Sequence, residues 1–145
     1  MDIEEQRRKA EAGSCVAQSL LGISYLYGYN VDVNYGEAFK FLAAAAKQGG
    51  SRATLNLGIM CAKGLGIPQD LPEAIRLFEA VATPSESSDA FAARIQLGRL
   101  YASGSGVQVD SAKALAWYKS AIDIASGVED HEYLGEAKAY VAEMS

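Results

Sequence analysis

Histidine and cysteine are scarce in this chain: one His, His131, and two Cys, Cys15 and Cys61, among 145 residues. The cysteines show no metal-ligand spacing, and they read as reduced, small, partly buried side chains. No Ser/His/Asp or Cys/His arrangement can be assembled around His131, which reads as a solvated residue of a helix near the chain's end. The sequence therefore nominates no catalytic residue, no metal ligand and no cofactor site, and it reads as non-enzymatic. An excess of basic charge is also missing. The net charge of −5 and a pI near 4.9 argue against nucleic acid or an anionic membrane as the main partner, and they suit a basic protein partner or plain solubility. No apolar run approaches the roughly 20 residues that span a bilayer. The start, MDIEEQRRKA, is charged and lacks the apolar stretch of a secretory signal, so the expectation is a cytoplasmic protein, provided Met1 is the native start.

What the chain does have is a repeat, found by testing for internal periodicity before trusting motifs. Aligned on Ala17, Ala53 and Ala93, three segments match without a gap. Leu21, Leu57 and Leu97 coincide, as do Gly22, Gly58 and Gly98, then Gly28, Gly64 and Gly104, then Ala38, Ala74 and Ala114. The longer second spacing is taken up by TPSESSD, a polar loop between units.

Each unit holds two helices. In the first, Ala17, Leu21 and Tyr25, or Ala93, Leu97 and Tyr101, fall four apart on one face. The second begins at Asn34, Asp70 or Asp110, all good N-cap residues, and Glu37 and Glu73 three positions on resemble capping boxes. Its apolar face is Ala38, Leu42 and Ala45, repeated as Ala74, Phe78 and Val81 and as Ala114, Tyr118 and Ala121. No segment alternates with period two, so strands are not expected.

KGLGIPQD, residues 63–70, is the one stretch that suggests a phosphate loop. A helix precedes its glycines, the third fingerprint position holds Gln69, and no Walker sequence is present, so the dinucleotide and Walker readings both fail. Gly28, Gly64 and Gly104 are instead expected to end the first helices in left-handed conformation. Asn30 stands where Gly66 and Gly106 stand, which points to a positive φ at that position. Gly22, Gly58 and Gly98 fall mid-helix, where glycine costs about 1 kcal/mol relative to alanine, and close approach of a neighbouring helix is the expected reason. Tyr25, Tyr101, Trp117, Tyr118, Phe39, Phe41 and Phe78 recur at repeat positions and read as packing residues.

The pattern A-x-x-x-L-G-x-x-Y-x-x-G-x-G-V, followed by an alanine- and aromatic-faced helix, resembles the Sel-1-like repeat family, relatives of the tetratricopeptide repeats. Cys61 stands in the tyrosine position of the second unit and Asn30 in a glycine position of the first. The resemblance implies an all-α fold, an α/α solenoid with a right-handed superhelix, and protein–protein interaction as the usual work. Residues 1–145 then form one repeat domain: a capping helix in 1–13, repeats in 14–49, 50–83 and 84–126, and a closing helix in 127–145 with Tyr133, Ala137 and Tyr140 on one face. Both end segments suit the polar caps that solenoids need. Members of the family that bind β-lactam-type ligands carry a cysteine pair in each repeat, which this chain does not.

One stripe changes chemistry from unit to unit. It lies three, six and ten residues after each anchor alanine, at about 300°, 240° and 280° on the helix. The stripe reads Leu20, Ile23, Tyr27; then Asn56, Ile59, Lys63; then Gln96, Arg99, Ser103. First helices line the concave surface of helical-pair solenoids, so these nine residues are the candidate surface for a partner peptide or helix, with Tyr27, Lys63 and Arg99 as anchors. An adaptor or scaffold is the leading reading. A small inhibitor or immunity protein that neutralises a toxin or enzyme by direct binding is the alternative.

Overall fold

The computed structural model describes residues 2–83, 87–104, 108–125 and 131–144, with the His131 side chain outside that set. Among the described residues the secondary structure is eight α-helices and no strand, as the periodicity predicts. They are α1 Ile3–Glu11, α2 Cys15–Tyr27, α3 Tyr35–Lys47, α4 Ser51–Lys63, α5 Leu71–Ala82, α6 Ser88–Ser103, α7 Ser111–Asp123 and α8 His131–Met144. The chain divides into two compact units, Met1–Leu77 and Phe78–Ser145, with the division inside α5.

The helix boundaries follow from the residues that set them. Asn34, Asp70 and Asp110 each accept the amide of the residue three positions on, at 3.0, 3.1 and 3.0 Å, so one orphan donor per helix start is satisfied. The second half of the capping box is replaced by a link between helices. The cap amides donate backwards to the first helix, from Asn34 to the Tyr25 carbonyl (2.9 Å), Asp70 to Cys61 (2.9 Å) and Asp110 to Tyr101 (3.0 Å). Glu37 and Glu73, freed from that task, pair with Arg7 and Arg76. The connection between the helices of a pair is therefore fixed three times by the same backbone bond.

Gly28, Gly64 and Gly104 close the first helices at φ +77°, +67° and +64°. Asn30 and Gly66 share the expected left-handed backbone, at φ +62° and +72°. At Gly66 a side chain would also collide with Tyr35, so that position requires glycine on two counts. Gly106 lies outside the described residues. The polar insertion before α6 is partly helical: Ser87 caps Ala90 at 3.2 Å and α6 runs for 16 residues, against 13 in α2 and α4.

In the first unit, α1 lies on α2 and α3 through Ala10, Ala17, Leu21 and Phe41. A second cluster joins Leu26, Ala38, Leu42, Ala45, Ala53 and Met60. Leu21 and Leu42 are wholly buried, each contributing about 2 kcal/mol by area. Gly22 permits this packing, because a Cβ there would stand 2.6 Å from Leu42 Cγ. Arg7 of α1 donates to the Tyr25 hydroxyl and to Glu37, and its guanidinium lies over the Tyr25 and Phe41 rings. In the second unit, Phe91, Ile95, Tyr118, Ala121, Ala125 and Ala137 form the core, and Gly98 faces the Tyr118 ring as Gly22 faces Leu42. Among the recurring aromatics, Phe39 departs from the packing expectation. It is 38% exposed on α3, because its neighbour but one, Phe41, takes the inward position.

Candidate partner-binding surface

On α2 the apolar stripe extends further than the repeat comparison shows. Leu20 and Tyr27 are 41% and 45% exposed, and Ile23 is half-buried against the Met60 and Leu42 cluster. Val16, one turn before Leu20, is 72% exposed on the same edge. The sequence reading begins the stripe after Ala17 and so misses Val16; stepping back four residues from Leu20 finds it. Tyr29, just past the helix end, adds its ring to Tyr27 at 5.7 Å between centroids.

On α4, Asn56 is buried, Ile59 half-buried and Lys63 exposed. The structure ties the two helices together at this surface, since the Tyr27 hydroxyl donates to Asn56 Oδ1 at 2.8 Å. Asn56 in turn donates to the Arg52 carbonyl at 2.9 Å, which fixes its amide orientation. The Tyr27–Asn56 bond thus joins the first two triplets, with Leu20 and Tyr27 exposed on α2 and Lys63 exposed on α4. Cys61, on the same helix, is buried, and burial first of all pushes its thiol pKa up; this disfavours the reactive thiolate.

The third triplet is in the second unit. Gln96 is half-buried and Ser103 exposed on α6. Arg99 points to α8, where it makes a bidentate pair with Glu136, Nε to Oε2 at 2.8 Å and Nη2 to Oε1 at 2.6 Å. Its guanidinium also covers the Tyr133 ring at 4.7 Å. The Tyr118 hydroxyl donates to the same carboxylate at 3.0 Å. These bonds, first the one from Arg99, hold Glu136 below the usual carboxylate range, while burial pushes the Tyr118 hydroxyl well up. Arg99 stands where Ile23 and Ile59 stand. A charge in an apolar register is the sequence signal that it has an intramolecular partner.

Among the described residues no group of three His, Cys, Asp or Glu gathers as metal ligands, and no helix is long and apolar enough to cross a membrane.

Comparison with known proteins resolves the family. The Sel1 repeat model matches residues 15–50, 51–82 and 92–124, most of the chain. The chain belongs to the Sel1 repeat family. Its matched segments begin close to the starts of α2, α4 and α6. Two solved structures share the fold over nearly the whole of it. One is c5321, a protective antigen of uropathogenic Escherichia coli with an SLR fold, at TM-score 0.74 and 27% identity, covering 100% of this chain and 34% of that one. The other is a Sel1 repeat protein from Oxalobacter formigenes, at TM-score 0.71 and 28% identity, covering 92% and 50%. Curated relatives include DAP3-binding cell death enhancer 1 of Mus musculus, 33% identical over 76 residues, and of Rattus norvegicus, 32% over 73. The Sel1 repeat chain matches 52% and 50% of itself to these two and spans 14% of their length.

Proposed function

We propose that this Sel1 repeat protein is an interaction module, an adaptor or scaffold that binds a partner protein or peptide on its first helices, the helices that line the concave side of such solenoids. Sel1 repeats are protein-interaction folds rather than catalytic ones, and the relative from mouse is named for binding another protein, DAP3. The observation that carries the proposal is the exposed apolar edge of α2, with Leu20 and Tyr27 solvent-facing beside the Tyr27–Asn56 bond. Exposed apolar groups gathered on one helix edge mark an interaction site better than the same groups scattered singly. Leu20, Ile23, Tyr27, Asn56, Ile59 and Lys63 make up this face in the first unit; Gln96, Arg99 and Ser103 are the corresponding residues of the second.

The test is affinity capture with the whole chain as bait, followed by Leu20→Asp/Tyr27→Ala. Loss of the captured partner with unchanged helicity is the expected result. Capture that survives this variant and is lost on Phe39→Asp would move the site to the second helices.

A further inference from the structure

We draw no further inference here: the strongest candidate, the exposed apolar edge of α2 at Val16, Leu20 and Tyr27, belongs to the partner-binding face already described, and nothing in the structure shows what covers it.

Discussion

The two units use one repeat plan and spend the same helix positions differently. Residues 1–77 hold eight acidic and eight basic side chains, whereas residues 78–145 hold ten and five, so the whole net charge of −5 belongs to the second unit. Among the described residues the first unit exposes Val16, Leu20, Tyr27, Tyr29, Val33, Tyr35 and Phe39; the second exposes only Val109 and Met144 among large apolar groups. The position that is Ile23 on α2 is Arg99 on α6, and Arg99 is turned to Glu136 of α8. The positions that fix the backbone do not diverge at all: cap, terminal glycine and mid-helix glycine repeat with the same geometry. Positions that fix the backbone and positions that vary are thus separate along each helix, and one position of the first helix is Ile23 against the core on α2 and the ion-paired Arg99 on α6.

The largest effect should come from the shared scaffold. Gly22→Leu forces a side chain into Leu42, and overpacking of this kind costs about 3 kcal/mol. Urea unfolding should show that loss, with amide protection falling first in α2 and α3. Gly98→Leu should do the same in α6 and α7 through Tyr118. If either variant melted like wild type, the close-approach account of these glycines would fail.

The latch of the second unit comes next. Glu136→Ala removes the partner of Arg99 and Tyr118; with both ion-pair side chains about a third exposed, screening keeps the loss to about 1–2 kcal/mol. The pH dependence has a definite sign. A carboxylate held below its unfolded pKa stabilises the fold above that pKa and loses the contribution as pH falls through the folded value. The melting-temperature gap between wild type and Glu136→Gln should therefore be full at pH 7 and close progressively below about pH 4. A gap independent of pH would show that the carboxylate charge contributes nothing.

Asp110→Ala should cost about 1 kcal/mol through the lost cap on Lys113, and Asn34→Ala a similar amount, in calorimetric melts. Equal losses in the two units would sharpen the claim that the scaffold is common to both. The smallest effect is Tyr27→Phe, which removes the bond to Asn56 and should cost about 0.5–1 kcal/mol without changing the first unit's helicity.

Much of the fold is legible in the sequence because helix ends demand particular residues. Asn34, Asp70 and Asp110 announce helix starts, and Gly28, Gly64 and Gly104 announce ends, since few other residues satisfy the orphan backbone groups or a positive φ there. The Asn30 substitution carries the same message and the structure bears it out at φ +62°. The half-formed capping boxes were not legible, because the amide's actual acceptor is a carbonyl in the preceding helix, a partner no local pattern contains. The Arg99–Glu136 pair escapes for a similar reason: its partner is on α8, which no local pattern around α6 contains, although the apolar positions of Ile23 and Ile59 mark Arg99 as exceptional. Phe39 and Phe41 share a helix and a residue type, and only the packing of α1 over Phe41 decides which one is inside.

The central claim, that recognition is made by the α2–α4 face of the first unit, is tested most directly by amide chemical-shift mapping. The isotope-labelled whole chain is titrated with the partner recovered by affinity capture. The account predicts that the largest shifts fall on residues 16–29 of α2 and its turn and on 52–63 of α4, with α3 and α7 little changed. Shifts concentrated on α3, around exposed Phe39 and Lys40, with α2 unmoved, would contradict it.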